Sequence, residues 1–217
     1  MNSAVDLLPG GAPELLRNLY WITLLAVVVS SASGVLKAGE QRFDLFGVVI
    51  IAIATGLGGG SLRDMLLDRP VFWIADQVFF IASIASALVI FMAARWMRLP
   101  RRFFLVADAA GLATFGIAGT LASLMVGAPW LVASFMGVMT GTMGGVFRDV
   151  LCNVPPVVFH SPLYATACWA GSLLFILLLQ QQVELTWAAV LSGAAIFLSR
   201  LIALRYAINL PRFRQKG

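Results

Sequence analysis

The sequence predicts an all-α integral membrane protein with seven transmembrane helices, built as two inverted three-helix repeats plus a seventh helix. Three observations predict it. The chain of 217 residues is 60% hydrophobic and only 12% charged, with a mean hydropathy of +0.93. Soluble domains are about half apolar and about a quarter charged. The chain divides into apolar runs near or above the ~18 residues that a spanning helix needs. A glycine-rich phrase ending in arginine–aspartate, GLGGGSLRD at 56–64, returns as GTMGGVFRD at 141–149.

Helix 1 is predicted over 19–36. The residues before it include Asp6, Glu14 and a single base, Arg17. That flank, and a run longer than the ~7–15 residues of a leader's apolar core, favour a mature helix over a cleaved signal. Helix 2 is predicted over 45–62, broken near Gly58, Gly59 and Gly60, because each glycine weakens a helix by about 1 kcal/mol relative to alanine. Helix 3 covers 72–94. Helix 4 covers 103–126 and carries small residues at packing intervals in GLATFGIAG, 111–119. Helix 5 covers 130–147 and is again broken, near Gly144 and Gly145. Helix 6 covers 158–179 and helix 7 covers 185–206. The organisation is an N-terminal tail 1–18, a first repeat 19–98, an inverted second repeat 103–182, helix 7, and a basic tail 207–217.

Orientation follows from Lys and Arg. Lys37, Arg42, Arg95, Arg98, Arg101, Arg102, Arg148, Arg205, Arg212, Arg214 and Lys216 fall on one side of such a chain; Arg17, Arg63 and Arg69 fall on the other. The positive-inside rule then places the N-terminus outside and the C-terminus in the cytoplasm. The same distribution disposes of a nucleic-acid reading of the net charge of +5: the bases sit between apolar runs instead of lining one face of a soluble domain.

The repeated phrase explains the architecture. With a shift of 85, Thr55, Gly56, Gly59, Gly60, Arg63, Asp64, Leu66 and Pro70 match Thr140, Gly141, Gly144, Gly145, Arg148, Asp149, Leu151 and Pro155; Gly34 matches Gly119 and Ala82 matches Ala167. Each unit holds three helices, an odd number, so the second enters the membrane from the opposite side. Inverted repeats with interrupted helices are a plan of transport proteins, with the path where the interrupted helices meet. Freed backbone groups survive in a bilayer only inside protein or beside water, so twin breaks predict kinked helices lining a wet cavity, a role that close packing through the same glycines can share.

Charges at membrane depth are functional candidates. Arg63–Asp64 and Arg148–Asp149 are predicted at opposite mouths of a path, or bracing the repeats with the arginine of one unit on the aspartate of the other. Asp108 in helix 4 is a third candidate, with a pairing to Arg200 of helix 7 open. Lys37 is expected to end helix 1 and to snorkel to the interface. Cys152 and Cys168 read as small packing residues and His160 as a loop or helix-end residue. No metal or cofactor is expected: no CxxC or HxxxH spacing occurs. An enzyme is not expected either, since HExxH and GxSxG are missing from the chain. A retinal-type receptor is disfavoured because neither Lys37 nor Lys216 is at mid-helix.

GGGSLRD and MGGVFRD, 85 residues apart in a seven-span chain, together with ADAAGLATFGIAG at 107–119, resemble prokaryotic members of the TRIC family, the trimeric intracellular cation channels, a bacterial family also labelled glycine transporter. The resemblance covers about 20–205. It implies a homotrimer embedded in membrane lipids, with one hydrophilic pore per protomer bounded by helices 2 and 5 at Gly58–Gly60 and Gly144–Gly145, and potassium as the permeant ion. Backbone carbonyls and the hydroxyls of Thr55, Ser61, Thr140 and Thr142 suit a cation. The alternative is a secondary transporter of glycine or a similar small solute, with helix N-termini at the breaks receiving a carboxylate and Asp64 or Asp149 coupling an ion. The compartment expected is the plasma (inner) membrane.

Overall fold

The computed structural model describes residues 12–41, 43–97, 100–161, 163–206 and 208; most of both tails, 1–11 and 207–217 apart from 208, lies outside the described residues. Nine α-helices run through them: α1 Ala12–Ala38, α2 Leu45–Leu66, α3 Phe72–Ala75, α4 Gln77–Trp96, α5 Arg101–Met125, α6 Trp130–Leu151, α7 Val157–His160, α8 Tyr164–Gln180 and α9 Leu185–Tyr206. Six are long and apolar enough to cross a membrane, and α8, at 17 residues, is a shorter apolar helix. These seven correspond to the predicted spans.

Local chemistry sets the boundaries. The Asp44 side chain accepts from Gly47 N at 2.8 Å to open α2, and the Asp76 side chain accepts from Val78 N at 2.9 Å to open α4, the usual use of Asp at a helix start. α2 and α6 stop the same way: Asp68 and Asn153 take left-handed φ of 50° and 52°, and Arg69 N and Val154 N bond back to Asp64 O and Asp149 O, each at 2.9 Å. Asn and Asp tolerate that conformation better than most side chains.

The structure corrects two expectations. Helices 2 and 5 are not broken at their glycines; helical bonding is continuous from Leu45 to Leu66 and from Trp130 to Leu151. In an apolar interior the helix is the one local structure that satisfies its own backbone, which outweighs a propensity loss of about 1 kcal/mol per glycine. The interruptions lie further on. Predicted helices 3 and 6 each begin with a separate single turn, α3 and α7, ahead of the spans α4 and α8.

Packing obeys the repeat. α1 lies against α2 and α4, as α5 lies against α6 and α8; α2 crosses α6, and α1 runs along α5. α9 has no counterpart and packs on α5 and α8. α5 is the most deeply buried span, with Leu112, Ile117, Leu121 and Leu124 in the main core beside Phe175 of α8 and Ile196 of α9. α4 and α9 instead expose Ile81, Val89, Trp187, Leu191 and Leu198, the face that lipid covers.

Candidate functional site: twin arginine–aspartate turns around a helix crossing

At the centre, α2 and α6 meet through their glycines. A Cβ on Gly59 would lie 2.2 Å from Thr140 O, and one on Gly144 would lie 2.2 Å from Thr55 O. Each helix therefore presents a bare backbone stretch to the other's carbonyl, and the two contacts interchange under the shift of 85. The neighbouring hydroxyls are satisfied on their own helices: Thr55 donates to Ile51 O at 2.6 Å, and Thr140 to Met136 O at 2.7 Å. Both threonines are buried, against Gly34 of α1 and Gly119 of α5. Such hydroxyls keep their lone pairs as acceptors. Gly58 faces the Phe147 ring, Gly60 the Phe72 ring, and Gly145 faces Arg148 and Tyr164. Ser61 donates to Leu57 O and accepts from Trp73 Nε1, each at 2.8 Å. Thr142 is buried on α6.

Beyond the crossing, each helix ends in its arginine–aspartate pair. Arg63 Nε donates to Asp64 Oδ1 at 2.8 Å, and Arg148 Nε donates to Asp149 Oδ1 at 2.8 Å. The second carboxylate oxygen caps the single turn that follows: Asp64 Oδ2 accepts from Phe72 N at 3.0 Å, and Asp149 Oδ2 from Val157 N at 2.8 Å. One residue thus neutralises a buried guanidinium and holds a helix start. The reading in which each arginine reaches the other unit's aspartate is not what the structure has. The i,i+1 carboxylate is already in place, and a charge in an apolar interior takes the nearest ionised partner with good geometry.

The second-repeat turn carries a larger network. Arg148 Nη1 donates to Asp108 Oδ1 at 2.7 Å and to Ser33 Oγ of the first repeat at 3.2 Å. The Tyr164 hydroxyl donates to the same Asp108 oxygen at 3.2 Å. The Arg148 guanidinium lies 4.8 Å from the Phe104 ring centroid, and that of Arg200 lies 4.6 Å from the Tyr164 ring. Arg200 also donates to Ser161. Asp108 therefore takes Arg148, and Arg200 joins the same cluster over the Tyr164 ring. Lys37 ends α1 and pairs with Glu40 at 2.6 Å. At the first-repeat turn, the Arg63 guanidinium lies 5.5 Å from the Phe72 ring. Arg69, in the turn after α2, donates to Ala122 O at 3.4 Å. Burial pushes the Arg69 guanidinium below its ordinary range, against the opposing pull of Asp64.

Sequence reasoning singled out the arginine–aspartate pairs, Asp108 and Lys37, but missed Ser33, Phe104, Ser161 and Tyr164. Their one signal is the shift of 85, which sets Asp108 against Thr23 and Tyr164 against Phe79 and so marks where the units differ. Among the described residues, no group of three or more His, Cys, Asp or Glu side chains is placed to hold a metal ion.

Comparison with known proteins finds the same duplication. A family model described as Glycine transporter matches residues 20–95 and again 105–180, two matches displaced by the same 85 residues. The chain is 38% identical over 198 residues to the inner membrane protein YadS of Escherichia coli, covering 90% of this chain and 96% of that one. It is 40% identical over 198 residues to a membrane protein of Vibrio cholerae, covering 90% and 82%. Among solved structures it resembles the TRIC trimeric intracellular cation channel orthologue from Rhodobacter sphaeroides, with a TM-score of 0.83 and 32% identity over 88% of this chain and 98% of that one. A prokaryotic TRIC channel crystallised in 0.5 M KCl matches with a TM-score of 0.81 and 26% identity, over 90% and 100%.

Proposed function

The chain belongs to the family described as Glycine transporter, which includes the prokaryotic TRIC channels, and from that premise we propose that it is a passive channel for monovalent cations, potassium above all. The carrying observation is its likeness, at 32% identity over nearly the whole chain, to a protein described as a cation channel. The proposed assembly is a homotrimer in the inner membrane, each protomer with its own path beside the α2–α6 crossing. N-terminus outside and C-terminus cytoplasmic is the orientation that the basic residues favour.

The chemistry of the crossing supports a cation. The hydroxyls of Thr55, Ser61 and Thr140 are oxygens whose own protons are already engaged by the helices, and the carbonyls of Thr55 and Thr140 face the crossing. A ring of such oxygens replaces part of a cation's hydration shell. Since α2 and α6 touch backbone to backbone at Gly59 and Gly144, conduction requires the two helices to part at that point or the ion to pass beside it.

The family's own description favours a second reading, a carrier for glycine or a similar small solute. Continuous helices remove the mid-membrane helix N-termini that would have received a carboxylate, so a carrier would rely on arginine instead. One experiment separates the two. Purified protein in potassium-loaded liposomes should release potassium in proportion to the gradient, without regard to glycine outside. Saturable glycine accumulation without potassium release would overturn the channel and establish the carrier.

A further inference from the structure

The two arginine–aspartate turns match atom for atom at Nε and diverge at Nη1. In the second repeat, Arg148 Nη1 has two acceptors, Asp108 Oδ1 at 2.7 Å and Ser33 Oγ at 3.2 Å. The positions equivalent to Asp108 and Ser33 around Arg63 are Thr23 and Ala118. Neither supplies a carboxylate, and Arg63 Nη1 has no acceptor among the described residues although Arg63 is only 2% exposed; Arg148 likewise keeps one orphaned nitrogen, Nη2, so charge is what separates the two turns. Tyr164, which donates to Asp108, is replaced by Phe79.

Charge diverges in the same sense. Arg148 and Arg200 share their surroundings with two carboxylates, Asp108 and Asp149. Arg63 and Arg69 share theirs with one, Asp64, and the second repeat has Val154 where the first has Arg69. A buried donor with no acceptor and an uncompensated positive charge thus fall at one place, and a buried charge is tolerated when paired. The Phe72 ring lies 5.5 Å from the guanidinium, and Nη1 is the nitrogen that Asp64 does not reach.

We propose that the first-repeat turn is a binding site for a small monoanion, which Arg63 Nη1 receives where the second repeat uses its own Asp108. One negative charge with an accessible lone pair meets the need, supplied by chloride or by the carboxylate of a small solute. The second-repeat turn is not such a site, because Asp108 and Asp149 already balance its two arginines.

The test uses the full chain, purified in detergent in a sulfate buffer and titrated separately with chloride, acetate and glycine. Thermal unfolding and tryptophan fluorescence are the readouts; Trp73 bonds to Ser61, two residues before Arg63. Saturable stabilisation by chloride alone assigns a halide site, and by acetate or glycine a carboxylate site. Thr23→Asp, a change of similar size, gives the first repeat the carboxylate of the second and should weaken the apparent affinity about tenfold or more, the scale of one hydrogen bond to a charged group. Ala118→Ser restores the other acceptor, should weaken binding in the same direction, and carries the test where the Thr23 variant does not fold. No saturable response to any of the three probes, or variants with unchanged midpoints, would overturn the proposal. Potassium flux plays no part in these readouts, so failure of the channel reading and failure of the anion site are separable.

Discussion

Asp108 and Thr23 occupy equivalent places in the two repeats, and that one difference organises the charge of the molecule. Asp108 is 5% exposed and Arg148 fully buried. Breaking a buried ion pair from one side costs about 3–5 kcal/mol, because the remaining charge stays desolvated. Asp108→Ala should therefore destabilise the protein by about that amount in denaturant unfolding, whereas Thr23→Ala should cost about 1 kcal/mol or less. Asp149→Asn removes charge from Arg148 and weakens the cap on Val157 N; we expect a loss of about 2 kcal/mol and faster proteolysis around α7. The paired arginine–aspartate phrase was legible in the sequence because both residues recur at one offset. The partner of Asp108 was not, since Arg148 and Arg200 are equally basic and only the approach of α5 to the end of α6 selects between them.

α2 and α6 show how a propensity argument and a packing argument diverge. Glycines that weaken an isolated helix here permit a backbone contact that no larger residue allows. Gly59→Ala and Gly144→Ala each place a methyl 2.2 Å from a backbone carbonyl, and overpacking of this kind costs about 1–3 kcal/mol. Gly39→Ala meets nothing within 4 Å and should leave the melting temperature unchanged, which makes it the control. The start of α8 offers the opposite test. Leu163 has φ 40°, a left-handed conformation that costs an L-residue about 1–2 kcal/mol, so Leu163→Gly should raise thermal stability. The single turns α3 and α7 were not legible, because their residues are as apolar as the spans behind them; an aspartate eight residues upstream holds the start of each, and Asp76 and the left-handed Leu163 set them off from α4 and α8.

For the whole molecule, the inverted repeat makes orientation testable. Pro70 and Pro155 are equivalent exposed positions at the two arginine–aspartate turns, and the native Cys152 and Cys168 are buried. Burial also pushes the Cys152 thiol above its ordinary range, so both native cysteines should stay silent towards thiol reagents. In intact cells, Pro70→Cys should react with a membrane-impermeant maleimide and Pro155→Cys should not; the reverse pattern would invert the proposed topology. α9 breaks the symmetry by bringing Arg200 to Ser161 and the Tyr164 ring, so the second cation of that turn comes from outside the repeats, whereas Arg69 of the first turn lies within its own.

The sequence by itself determined the all-helical membrane class, the offset of 85, the three-plus-three-plus-one order of spans and the location of the charged turns. Those properties are written in hydropathy and in recurrence, which need no contacts to be read. The tertiary structure decided the rest: that the glycine helices stay continuous, that each arginine takes its own neighbouring aspartate, that Tyr164 joins Asp108 to Arg200, and that Arg63 lacks the second carboxylate that Arg148 has. Each of these depends on which side chains α1, α5 and α9 bring within about 3 Å of the same nitrogen or oxygen, and hydrogen bonds weaken steeply beyond that reach. Such proximity is a property of helix crossings, and no periodicity along the chain encodes it.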